Sequence, residues 1–275
     1  MRARERARVT VRIDAASPLL SGFETDYEVA HAGSSTIVLR PYEMQEDDVV
    51  VTTGDVGLMP GGLHYSQEIF DQWRARITGS RVTFRSDARA LELIERVNLR
   101  LGMAQVDRDS LLLAIHLLDR SRPREIGVSS VDQAKAVASQ ACDRDREALK
   151  ASIRQLVGSG EGSTPAGDDL LVGACAALRS SGYLAEATLV ASLACDIAHR
   201  TTRASRLYLR AAEAGRFAER VHLLAGSFAH QADAAKIMKS IQGWGASSGL
   251  DLATGLLGGL IVAGERADAS IARSA

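Results

Sequence analysis

Aromatic side chains are scarce in this chain, making up 4% of its 275 residues. Stacking platforms for nucleobases are therefore not expected. A net charge of −1 also removes the basic footprint of a nucleic-acid binder. Cysteine is nearly as rare: Cys142, Cys175 and Cys195 are scattered and form no Cys-x-x-Cys pair. That speaks against a disulfide framework and fits a reducing, cytoplasmic compartment. Cys175 and Cys195 fall on apolar helical faces and read as core packing. No His-x-x-x-His pair occurs, so a zinc site is not expected. Long hydrophobic runs are missing too. The longest, Leu252 to Ala263, is too short to span a bilayer, and its Gly255-x-x-x-Gly259 spacing suits close helix packing inside a core. Five arginines between Met1 and Arg12 precede no apolar run. The start thus reads as a frayed end leading into a strand, not as a signal peptide. Neither a membrane nor a nucleic acid is an expected partner.

What is present is an ordinary globular composition, with 46% hydrophobic and 24% charged residues. The length suits one large or two modest domains. Val9 to Ile13, Thr36 to Arg40, Val49 to Thr53 and Arg81 to Phe84 with Arg85 are short alternating or β-branched runs, read as strands. Gly54 to Gly57 and Pro60 to Gly62 read as loops. Ala88 to Leu101 and Ser110 to Leu118 show helical periodicity, with Ile94, Val97 and Leu101 on one face. Residues 130–155 hold one or two helices behind a Ser-Ser-Val-Asp cap. Helices then follow over 168–180, 183–199, 203–214, 216–227, 230–240 and 248–264. The expected fold is α+β: a small β-rich, barrel-like N-terminal domain over residues 1–85, then a larger all-helical domain over 86–275.

Chemistry concentrates in three places. The first is Gly158-Ser-Gly-Glu-Gly-Ser-Thr-Pro-Ala-Gly-Asp-Asp-Leu-Leu-Val-Gly173. Its glycines let the backbone approach a ligand and take positive φ. Pro165 suits a first helical turn, with Thr164 or Ser163 as cap. A helix start of this kind can seat an oxyanion. It is not a P-loop, because no Gly-Lys-Ser/Thr follows. Consecutive Asp168 and Asp169 exceed what one helix dipole needs. The second place, Gly243 to Leu260, repeats the design: Ser247 or Ser248 as cap, Gly249, and Asp251 in the opening turn. The third is Arg200-Thr-Thr-Arg-Ala-Ser-Arg206, three guanidinium groups and three hydroxyls in seven residues. Arginine's planar fork binds carboxylate or phosphate oxygens in pairs.

These three motifs, in this order, resemble an uncharacterised-domain family that includes the AllH-type subunit of oxamate carbamoyltransferase, from allantoin degradation. The resemblance is specific over Gly158 to Gly259 and weak over residues 1–85. The family's Gly-His-Ser-Ser-Gly-Trp-Asp reads here with Ala246 for the histidine and Leu250 for the tryptophan. Ala166 stands where the family has serine. The resemblance implies a carbamoyltransferase-type enzyme or enzyme subunit of nitrogen metabolism, handling carbamoyl phosphate and a small amide or carboxylate of the oxamate or oxalurate kind.

On that reading Asp168, Asp169, Thr164 and Asp251 are the expected catalytic residues. One of the Asp168–Asp169 pair would serve as base toward the attacking nitrogen or hold a cation. Substrate would meet Gly160, Gly162, Ser163, Gly167, Thr201, Thr202, Arg203, Ser205, Arg206, Ser247, Ser248 and Gly249. No particular cofactor is assigned, although the carboxylates could hold Mg2+. The resemblance also implies partner subunits, and a homo-oligomer is a further expectation. Two alternatives stand beside this: a non-catalytic subunit of a carbamoyltransferase or acyl-CoA-synthetase-like complex, and a Mg-dependent phosphate-handling hydrolase. A shared site requires the three motif segments to meet in space.

Overall fold

The structure, a computed structural model, describes residues 11–15, 17, 25–32, 36–41, 49–53, 56–68, 70–71, 81–84, 94–121 and 130–274. The basic start over residues 1–10, the turn at residues 54–55 and residues 85–93 lie outside this set. The described chain divides into two compact units. One comprises residues 1–99 with 218–220; the other comprises residues 100–217 and 221–275.

The first unit is built on a mixed sheet of seven strands. They are β1 (Val11–Asp14), β2 (Thr25–Ala32), β3 (Thr36–Pro41), β4 (Val49–Thr53), β5 (Leu63–Tyr65), β6 (Arg81–Phe84) and β7 (Ile94–Val97), in the order β6-β2-β3-β4-β5-β1-β7. Antiparallel pairing runs from β6 through β2 and β3 to β4, and β1 pairs antiparallel with β5. The β4–β5 and β1–β7 pairs are parallel. Alternate residues Ile37, Leu39, Val49 and Val51 enter one core with Ile13, Leu63 and Phe70, as a pleat of period two requires. Among the described residues β6 and β7 end the sheet without pairing to each other, so it is open and not barrel-like. The helix expected over Ala88 to Leu101 is corrected where it is described. Ile94 to Val97 pair in register with β1, and the sheet therefore runs past residue 85. Ile94 and Val97 satisfy a helical spacing, but a four-residue run cannot distinguish the two periods. Glu219 groups with this unit: it pairs with Arg12 at 2.5 Å and accepts the Leu58 N–H at 3.1 Å.

The second unit is helical throughout its described length. Helix α1 (Arg108–Ser121) is followed by α2 (Val131–Asp143) and α3 (Arg146–Leu156). Then come α4 (Ala166–Ser180), α5 (Leu184–Asp196), α6 (Arg203–Glu213), α7 (Glu219–Ser227, of which 221–227 belong here), α8 (Gln231–Ser240) and α9 (Ser248–Ser274). Ser130 opens α2 with a reciprocal capping box to Gln133. Helix α4 is the centre: every residue from Ala166 to Leu178 is buried, as an apolar run on all faces demands. It packs on α2, α3, α5, α6 and α9.

Helices α4 and α9 touch through backbone. A Cβ on Gly173 would lie 2.1 Å from the Leu252 carbonyl oxygen, and one on Gly255 would lie 2.0 Å from that of Leu170. One on Gly259 would meet the Ala177 Cβ at 2.5 Å. The Gly255-x-x-x-Gly259 spacing thus does form a close seam. Contacts advance in the same sense along both helices, so the pair is parallel and the two N-termini lie at one end. Gly255→Ala is expected to lower stability by about 1–3 kcal/mol through overpacking. Gly264→Ala, on the same helix but exposed and with nothing within 4 Å, is expected to raise it by about 0.5–1 kcal/mol. Urea unfolding of the two variants checks the contrast; equal effects would mean the seam is not tight.

Candidate functional site

The parallel seam brings the starts of α4 and α9 side by side, and the start of α6 joins them. Thr164 Oγ1 lies 2.8 Å from Ser248 Oγ, which links the first motif to the second. The Thr202 hydroxyl donates to the Ser163 carbonyl at 2.5 Å, and the Thr201 hydroxyl donates to Asp168 Oδ2. Those two bonds link the first motif to the third. All three segments therefore meet, and the common point is polar and buried. Asp168 is 1%, Asp169 6% and Asp251 7% exposed.

The two adjacent aspartates do different things. Asp168 accepts at both oxygens: Oδ1 takes the Gly158 N–H at 3.0 Å and Oδ2 the Thr201 hydroxyl. It ties the glycine loop and the α6 approach to α4. Asp169 receives hydrogen bonds from the Ser248 and Thr164 hydroxyls, and its carboxyl feels the charges of Asp251 and Asp168. Burial, with those two like charges adding, pushes its pKa up to about 8 against the hydroxyl bonds that lower it. Its Oδ2 has no hydrogen-bond partner among the described residues.

Several expected roles change. Pro165, not Thr164 or Ser163, occupies the cap position of α4, and no side chain caps it. The first-turn N–H groups are already used: Gly167 donates to Ser159 O, while Asp168 and Asp169 donate to Pro165 O. The expected oxyanion seat on that turn is thus filled by the chain's own carbonyls. Ser247 is in the cap position of α9, its carbonyl taking the N–H groups of Leu250 and Asp251. Thr202 caps α6 by accepting the Ser205 N–H, and Ser205 Oγ is buried without a partner among the described residues.

The glycines also separate. A Cβ at Gly167 would sit 2.1 Å from Leu156 O, one at Gly249 2.2 Å from Ile241 O, and one at Gly160 2.8 Å from Ala166 N. These three are required by packing against backbone. Gly162 is exposed with φ +96° and nothing within 4 Å of a Cβ. It alone of the four has room for a ligand above it. Positive φ recurs at Gly158, Gly160 and Gly162. Arg203 is exposed and Arg206 half-buried. Neither guanidinium is among the groups that act on the Asp169 carboxyl. Arg200 is spent on the Arg154 carbonyl at 2.9 Å. The residue that sequence reasoning missed is Gly158, whose N–H holds Asp168; its place at the head of the glycine run was the available signal.

Among the described residues no group of three or more His, Cys, Asp and Glu side chains is arranged to hold a metal ion. With Asp168 engaged by two donors, the aspartates do not fit Mg2+, and no step is routed through one. No helix among the described residues is long and apolar enough to cross a membrane.

Three helix starts are joined through hydroxyls beside the buried carboxyls of Asp168 and Asp169. The family model that matches the chain is described as oxamate carbamoyltransferase subunit AllH, and it matches residues 156–260. The matched stretch contains all three motif segments and none of the sheet. No curated protein and no solved structure matches the chain.

Unfolded, Asp169 titrates near 3.8; folded, near 8. The native state binds the extra proton between those values, so stability from this group is complete below the lower value. It is lost as pH rises through the higher one. Asp169→Asn cannot ionise. Its stability relative to the parent is expected to rise from pH 5 to pH 9, read by urea unfolding at each pH. Parallel curves would show that Asp169 does not carry the extra proton.

Proposed function

We propose that this protein is a carbamoyltransferase-type subunit whose own helical unit holds the reacting carbamoyl group, with carbamoyl phosphate and a small amide such as oxamate as substrates. The observation that carries this reading is the meeting of the first and second motif segments at Asp169, a buried carboxyl with one oxygen unpartnered, while the third joins the first through Asp168 and Ser163. The AllH-type match over the same residues supports it.

In the proposed reaction the amide nitrogen attacks the carbamoyl carbon, a C–N bond forms, and the C–O bond to phosphate breaks. The proton lost by nitrogen ends on the departing phosphate. Asp169 is the catalytic carboxyl. Thr164 and Ser248 fix its orientation, with Asp251 beside them. Asp168, Thr201 and Thr202 are positioning residues, and Ser205 lies behind them. The N–H groups of residues 160–164, above Gly162, would face phosphate. Arg203 and Arg206 at the start of α6, with Ser163 and Ser247 nearby in the loops, would meet the carboxylate of the acceptor.

A second reading is favoured by one set of contacts. Gly158, Gly160, Gly167 and Gly249 all pack against backbone, as a loop serving architecture alone would, so the chain could be a non-catalytic subunit of a larger transferase. The Mg-dependent hydrolase has no support from the donor set.

The test is product formation by the purified full chain, alone and with its partner subunits, from carbamoyl phosphate and oxamate. Release of phosphate with a matching ureido product is expected. Asp169→Leu should lower the rate about 100-fold or more while remaining folded by circular dichroism. Full turnover by the leucine variant, in a complex that is active, would make this chain the non-catalytic subunit.

A further inference from the structure

We propose that Asp169 works as a neutral carboxylic acid, donating a hydrogen bond through its unpartnered oxygen to the carbonyl oxygen of a bound carboxamide or carbamoyl group. This rests on reading the junction of α4, α6 and α9 as the ligand site. It goes further by fixing the state of the acid and the chemical group that it meets, and it departs from the expectation of a base.

Geometry supports it from four sides. Asp169 is 6% exposed, and its Oδ2 is buried with no partner among the described residues. A buried polar atom in that condition costs free energy unless something occupies it. The groups that face the carboxyl are the hydroxyls of Thr164 and Ser248, Asp168 from its own helix, and Asp251 from α9. No lysine, arginine or histidine is among them, so no cationic side chain offsets a negative charge there. Asp168 already accepts two donors, and its neighbour is left to be the donor of the pair. Adjacent acids with divergent environments commonly divide their roles in this way. The raised pKa agrees with this division.

The same surroundings select the ligand group. A dianionic phosphate at Oδ2 would meet the carboxylates of Asp168 and Asp251 and be repelled. A cation or metal would require Asp169 to be ionised. A carbamoyl carbonyl is uncharged, accepts one hydrogen bond from the acid, and gains more from it as negative charge develops on its oxygen during attack on the carbamoyl carbon; the carbonyl of a carboxamide bound alone offers the same neutral acceptor. In the reaction balance above the nitrogen's proton passes to phosphate, so Asp169 ends each turnover protonated as it began.

The experiment has two readouts on the full chain. Calorimetric titration with oxamate, and separately with acetamide, is run between pH 6.5 and 9.5. The transfer rate is followed over the same range in the active assembly. A neutral donor makes affinity fall as pH rises through about 8, roughly tenfold between pH 7 and pH 9. Asp169→Asn keeps an N–H donor at this place and is expected to bind amide within about threefold of the parent, with no pH dependence, whereas Asp169→Leu loses binding. Affinity or rate that rises through the same pH range would establish a base or a cation site and overturn the proposal. So would Mg2+ or guanidinium binding that displaces the amide. If the variants fail to fold, the sign of the parent's pH dependence still decides. Amide binding with the expected sign but no transfer in any assembly would uphold this inference and remove the transferase reading.

Discussion

The contact on which the helical unit depends is backbone against backbone. Gly173 and Gly255 let α4 and α9 approach until each glycine faces a carbonyl of the other helix. Interaxial distance is set by the side chains at the contact, and here there are none. The parallel sense of the pair follows from the same contacts, and with it the site, because only parallel helices place two N-termini at one end. Parallel dipoles repel, and the accumulated positive ends favour anionic groups beside them. Asp168 and Asp251 are what the chain supplies there.

Asp169 shows how one environment separates two neighbours in sequence. Asp168 turns toward donors from the glycine loop and from Thr201, while Asp169 turns toward hydroxyls and two like charges. The difference in their chemistry comes from one hundred degrees of helix rotation, which points them at different segments. Thr164 and Ser248 close the arrangement, their oxygens lying within hydrogen-bond distance of each other and both facing Asp169. Removing either hydroxyl therefore disturbs both the junction and the carboxyl it serves.

Much of the helical unit was legible residue by residue. The helical pattern over 168–180 was readable, though not its burial on all faces, and Gly255-x-x-x-Gly259 announced a seam. The Ser-Ser-Val-Asp run ending at Asp132 announced a helix start. In the sheet, β-branched runs found β3 and β4 directly. Strand β2 was passed over because Asp26 and Glu28 dilute its alternation, and its register shifts between Val29 and His31. Strand β7 was read as helix because Ile94, Val97 and Leu101 satisfy a helical spacing, and only pairing with β1 overrides it. Pairing partners lie about eighty residues away, and no local pattern carries that information.

Sequence alone determined the inventory of the site: glycines, hydroxyls and paired carboxylates at three helix starts, each a local property of a few consecutive residues. Tertiary structure decided what each does. It filled the first-turn N–H groups of α4 with carbonyls and consigned Gly160, Gly167 and Gly249 to packing. It also gave Asp168 to the loop and left Asp169 buried beside two other acids. The reason is that a side chain's type is written in the chain, whereas its burial, its partners and therefore its charge are set by residues distant in sequence that only the packing of α4, α6 and α9 brings to it.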